Sequence, residues 1–202
     1  MWERLDDASP LTIKALAPDG AGASLPVNVG FSQSMTVHHE QALVMARMAL
    51  TQGTLTIRSI ATGIINQQLK EVGYMQGWLM LWSAPPIESN IDDMRWMKEA
   101  YANANKRDPA FDQFLASCVP GKEMPGIASQ TELEQLSALR DDSFDRQFLL
   151  MMIRHHQGAL VMARFAMEHA ENEAVRLFAR AIATEQRREM AQMTGLLMRA
   201  AQ

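Results

Sequence analysis

A chain of 202 residues with 48% apolar side chains can bury a sizeable core, as one domain or as two small ones. The formal net charge of −4 supplies no basic field for nucleic acid, and the single cysteine, Cys118, excludes an internal disulfide or a Cys-x-x-Cys motif. No apolar run is long enough to span a membrane, while abundant Ala, Leu and Met with few β-branched runs favour helices.

Residues 1–27 are small, polar and Pro/Gly-bearing, with no sustained period, and read as a flexible N-terminal segment. They contain no signal segment and are of the kind that follows an export or anchor element. The remainder, 28–202, reads as one domain made of a first repeat (28–83), a connection (84–140) and a second repeat (141–200). Asn28 can cap a first helix, over about 30–52, whose apolar positions Phe31, Met35, His38, Ala42, Met45 and Ala49 step by three or four; Gly53 ends it. Thr54 can cap a second, over about 55–83, with stripe Ile57, Ile60, Ile64, Gln68, Glu71, Met75, Leu79 and Trp82, stopped by Ala84-Pro85-Pro86.

The connection holds short helices over 92–103 and 109–117, turns at Val119-Pro120-Gly121 and Met124-Pro125-Gly126, and a third short helix to about Leu139 introduced by the capping box Thr131-Glu132-Leu133-Glu134. A long helix then runs from Asp141 to His169 with stripe Phe144, Phe148, Met152, His155, Ala159, Met162 and Ala166. Asn172 can cap the last, 173–200, with stripe Val175, Phe178, Ile182, Gln186, Glu189, Met193 and Leu197.

The two long pairs match. Met35-x-x-His38-His39 recurs as Met152-x-x-His155-His156, each followed by Ala, Leu, Val, Met, Ala and Arg at the same offsets, and these two copies hold four of the chain's five histidines. Gln68, Glu71 and Met75 align with Gln186, Glu189 and Met193. Each hairpin alone leaves an apolar face bare, so an all-α four-helix bundle built from a duplicated helical hairpin is expected.

Sixteen methionines is an unusual number; most read as core filler, and those spaced around histidine stand apart as soft donors. Adjacent helical residues point about 100° apart, so His38 and His39 cannot share one target. His38 lies with Met35 and Met45, and His155 with Met152 and Met162, so each helix offers imidazole and thioether within a turn or two. That soft donor set suits Cu(I) or Ag(I) rather than calcium, magnesium or zinc. The candidate ligands are therefore His38, His39, Met35, Met45, His155, His156, Met152 and Met162. Gln68, Glu71, Gln186 and Glu189 interrupt apolar stripes, and as outer partners they would accept the spare imidazole N–H groups and fix each ring. The competing reading is a metal-free His-Gln-Glu network that sets helix register. A third, a metal-dependent oxidoreductase, lacks the Glu-x-x-His motifs of di-iron bundles. His169 reads as a charge partner at a helix end, Met124 and Cys118 as loop residues with soft ligation as the alternative, and Trp78 and Trp82 as a cover for the bundle end.

These residues resemble the bacterial domain-of-unknown-function family DUF305. The resemblance rests on Met35–Ala46 and Met152–Ala163, on Gln68–Leu79 and Gln186–Leu197, and on Met124-Pro125-Gly126, and it covers about 28–200. It implies a ferritin-like four-helix bundle, exported or membrane-anchored, some of whose relatives bind Cu(I), Cu(II) or silver through Met and His. It also implies an extracytoplasmic copper binder for storage, delivery or tolerance, not an enzyme, with a copper-trafficking protein as a partner. The second copy departs by Gly158 where the first has Gln41, which speaks against a ligand role for Gln41.

Overall fold

A computed structural model describes residues 26–87, 94–102, 107–119, 121 and 123–200; the segment 1–25 lies outside them. The described residues form seven helices and no strand: α1 (Pro26–Gln52), α2 (Leu55–Leu81), α3 (Arg95–Ala102), α4 (Pro109–Ser117), α5 (Gln130–Ala138), α6 (Asp141–His169) and α7 (Glu173–Ala200). The four long helices make two hairpins, α1 with α2 and α6 with α7, joined along an α1–α6 seam. None is long and apolar enough to cross a membrane.

The long helices follow their stripes. Phe31, Met35, Ala42, Met45 and Ala49 on α1, and Phe144, Phe148, Met152, Ala159, Met162 and Ala166 on α6, are all fully buried. Two apolar clusters result. One gathers Met35, Met75 and Met162 with the aromatic side chains of α3 and α4; the other gathers Met45, Met152 and Met193 with Phe144 and Phe148. The polar layer at His38 and His155 lies between them along α1 and α6.

Long-range contacts set the ends of the long helices. Asn28 is not a cap: α1 already begins at Pro26, a residue that loses no hydrogen bond at the first helical position. The carboxylate of Glu171 accepts from the backbone N–H groups of Val27 (3.2 Å) and Asn28 (3.1 Å), two of the orphan donors at that helix start. Asn28 instead accepts from the backbone N–H of Asn172 through Oδ1 at 3.2 Å. The other hairpin repeats the contact, with Asp145 Oδ1 accepting from the backbone N–H of Thr54 at 3.0 Å. Asn28 stands ten residues before His38 and Asp145 ten before His155, while Thr54 and Asn172 each stand fourteen before their glutamine, Gln68 or Gln186. Equivalent positions thus staple each hairpin to the hinge of the other, which also makes α1 and α6 antiparallel.

Thr54 holds the expected N-cap position of α2, but its hydroxyl donates to Asp145 and makes no capping bond. Asn172 does cap, accepting from Ala174 N at 2.8 Å. The capping box of α5 lies at Ser129 with Glu132, not at Thr131 with Glu134. Trp78 stacks on Trp82 at 6.0 Å and meets Phe178 edge-on at 5.0 Å, closing one end of the bundle as expected. Met124 and Cys118 lie in irregular chain as expected, but both are buried in the first apolar cluster. His169 is more than a charge partner: it lies 4.0 Å from Glu168, and its ring packs against Phe165 at 4.3 Å.

Candidate metal centre

All four paired histidines have no exposed surface. The antiparallel crossing of α1 and α6 brings His38 and His155 together, with ring centroids 3.8 Å apart and planes tilted by 43°. His39 and His156, a helical step further round, turn away from that contact toward α2 and α7. Nε2 of His39 donates to Oε2 of Glu71 at 2.7 Å, and Nε2 of His156 donates to Oε2 of Glu189 at 2.7 Å. Glu71 is braced in turn by Gln67, whose Nε2 donates to Oε1 at 2.9 Å.

The expected outer partners therefore divide. Glu71 and Glu189 take imidazole N–H groups, those of the second histidine of each pair. Gln68 and Gln186 do not: both are buried, and neither amide makes a hydrogen bond. Neither ring nitrogen of His38 or of His155 makes a hydrogen bond of normal geometry, and Nδ1 of His39 and of His156 is likewise without a partner. Because Glu71 and Glu189 engage Nε2, the Nδ1 lone pairs of His39 and His156 are left free, the arrangement by which a carboxylate orients a metal-ligating imidazole. Unsatisfied buried polar atoms are rare and call for an explanation, and this one layer concentrates them on every imidazole.

Electrostatics keep the central pair neutral. Burial pushes the His38 imidazole well below the usual histidine range, and the nearby His39 and His156 push it the same way; the Pro125 carbonyl pulls weakly in the other direction. For His155 burial again dominates, followed by His38, His156 and His39, against a weak pull from the His38 carbonyl. A neutral imidazole carries the lone pair that a metal needs.

Among the described residues no three His, Cys, Asp or Glu side chains converge as a metal-binding group. A site in this layer has to combine imidazoles with thioethers. Met35, Met45, Met152 and Met162 are all fully buried, two in each of the apolar clusters that flank the layer: Met35 with Met162, and Met45 with Met152. The eight sequence candidates thus occupy the same stretch of the α1–α6 seam.

Sequence reasoning gave no structural role to Gln41. Its Nε2 donates to the carbonyl of Ala128 at 2.8 Å and its Oε1 accepts from the N–H of Ala128 at 2.6 Å, so it clamps the connection and is no ligand. At the equivalent point on α6, Gly158 lets the connection through: a Cβ there would lie 2.0 Å from the Pro125 carbonyl oxygen. The Gln41/Gly158 difference between the two copies was the available signal, and it marks where one connection crosses two otherwise matching helices.

The DUF305 model, a domain of unknown function, matches residues 28–197. No curated protein matches the chain. Among solved structures, a DUF305 fragment from Deinococcus radiodurans is 32% identical, with 86% of this chain and 97% of that one covered and a TM-score of 0.63. A DUF305 protein from Streptomyces coelicolor is 28% identical over 86% and 93% of the two chains, with a TM-score of 0.70. The protein CopM shares the fold at lower identity: its Cu(I)-bound form is 24% identical, covers 85% and 96% of the chains and has a TM-score of 0.57. Over nearly its whole described length, then, this chain belongs to the DUF305 family.

Proposed function

We propose that this protein binds a soft metal ion, Cu(I) or Ag(I), in the layer where α1 crosses α6, using His38, His39, His155 and His156 with thioethers from Met35, Met45, Met152 and Met162. The observation that carries the reading is the set of four fully buried imidazoles, each with at least one ring nitrogen that makes no hydrogen bond, flanked by methionines that reach no solvent. Soft thioether and imidazole donors select Cu(I) and its congener over the hard cations. CopM, which shares the fold, has been solved in Cu(I)-, Cu(II)- and silver-bound forms. The role is that of a binder, not an enzyme, in copper storage, delivery or tolerance, with a copper-trafficking protein as donor or acceptor. The work would lie outside the cytoplasm, in keeping with the Streptomyces coelicolor relative, which carries "secreted" in its name.

A second reading has its own support. The His39–Glu71 and His156–Glu189 pairs, each 2.7 Å and buried, would serve equally as a metal-free network that fixes how the hairpins register. Anaerobic titration with Ag(I) or Cu(I) against a competing chelator separates the two. Metal binding predicts tight uptake that weakens about tenfold or more in His38→Ala, in His155→Ala and in the milder Met35→Leu. Absence of uptake by the folded wild-type protein, with large stability losses in the same histidine variants, would leave only the network.

A further inference from the structure

The proposed layer is sealed, and what seals one side of it is not a helix. Ahead of Gln130, where α5 begins, residues 123–129 pass over the α1–α6 seam without helix, with a turn at Pro125-Gly126. The stretch 123–128 lies directly over the histidines. The Pro125 carbonyl approaches the His38 ring. Gly126 has φ +94°, a conformation that favours glycine, and sits so close to α6 that a Cβ on it would be 3.0 Å from the carbonyls of Arg154 and His155. Met124 is buried among the side chains of the first apolar cluster.

The attachments of this stretch differ in kind. Ala128 is bound through both backbone groups by the Gln41 side chain. A turn bond from Ile127 N to Met124 O, 3.0 Å, folds the stretch on itself. Contact with α6 is van der Waals contact of backbone on the bare Gly158. Lifting such a strap breaks the Gln41–Ala128 bond pair and uncovers the two buried side chains Met124 and Ala128, whereas parting any two long helices exposes a whole packed face. Segments of this type supply the low-free-energy openings of a fold.

Resting on the metal-binding reading, we propose that residues 123–128 form a strap that gates passage of the ion to and from the His38–His155 layer, with Gly158 as its seat and the Gln41–Ala128 bond pair as its latch. The strap is the device that lets a fully buried site exchange its cargo without unfolding the bundle.

Two substitutions test it, each in the full chain with helical circular dichroism as the check on folding. Gly158→Ala places a methyl group 2.0 Å from the Pro125 oxygen and unseats the strap. Gln41→Ala removes the latch from outside the ligand set. The first readout uses no metal: carbethoxylation of each histidine by diethyl pyrocarbonate, mapped by peptide mass. Both variants should label His38 and His155 roughly tenfold faster than wild type, the effect of destabilising a local closure, with half-buried His169 unchanged as internal reference. The second readout is the stopped-flow association rate of Ag(I), which should rise by a similar factor. Wild-type labelling rates in both folded variants would overturn the gate. Faster labelling with no silver uptake by any protein would uphold the moving strap and overturn the metal reading instead. If Gly158→Ala does not fold, Gln41→Ala alone decides.

Discussion

The two fully buried histidines at the crossing of α1 and α6 make a quantitative demand on stability. His38 and His155 are neutral in the folded protein, held well below the ordinary value of 6.5 chiefly by desolvation. In the unfolded chain they titrate near that ordinary value. Below it the unfolded state therefore binds more protons than the native state, so stability is complete above pH 6.5 and falls as the pH is lowered toward the folded values. Each such histidine withdraws on the order of 1 kcal/mol by roughly pH 5.5, and the two together about 2–3 kcal/mol, a large share of the ~5–15 kcal/mol of a typical domain. Urea unfolding of the metal-free protein, followed by fluorescence of Trp78, Trp82 and Trp96, measures this directly. Between roughly pH 8 and pH 5.5 the unfolding free energy should fall by about 2–3 kcal/mol, and in His38→Gln by about half of that. A loss under about 1 kcal/mol, or a full-sized loss in His38→Gln, would refute the claim that this pair is buried and neutral.

Two further substitutions test the packing around the layer. Glu71→Ala leaves Nε2 of His39 buried without its 2.7 Å acceptor, and chemical denaturation should show a loss of about 1–3 kcal/mol; no loss would mean that the pair is not formed. Gly30→Ala places a Cβ 2.2 Å from Cγ of Trp96, a ring fixed by its bond to Ser34 (2.9 Å) and its edge contact with Phe165 (5.5 Å), and should cost about 1–3 kcal/mol; a neutral result would show that α3 can move off α1.

The long helices were legible because each carries one clean stripe. Asp141–His169 and Glu173–Ala200 end where their periodicity and the Asn172 cap place them. What escaped the sequence was decided by contacts between distant parts of the chain. Asn28 has the chemistry of a cap, but Glu171 from the other hairpin already satisfies that helix start. Ser129-x-x-Glu132 and Thr131-x-x-Glu134 are equally good local boxes; Glu132 also binds Arg154 on α6, a tertiary contact that accompanies the first. Within the candidate site, the meeting of His38 with His155 followed from matched stripes. The angular step between neighbouring residues gave the divergence of His39 and His156. That Glu71 and Glu189 would bond to them while Gln68 and Gln186 bond to nothing depends on side-chain reach across a helix pair, which spacing along one helix cannot supply. Met124 and Cys118 are loop residues, as their turn-forming neighbours indicate, but their burial was not legible because it depends on the connection packing against distant helices.

The reciprocal staples at Asn28–Asn172 and Asp145–Thr54 bear on how the molecule can come apart. Each bend between paired helices is pinned by the opening turn of the opposite pair, so neither half owns all the bonds that hold its own corner. A chain cut within the central connection should consequently yield fragments that are poor solitary folders yet good mates. A single half supplied in excess would meet its corner bonds by joining a copy of itself. The architecture is braced like a trestle, each leg steadied by the foot of the other, and mechanical load on one corner passes directly into the opposite pair of helices.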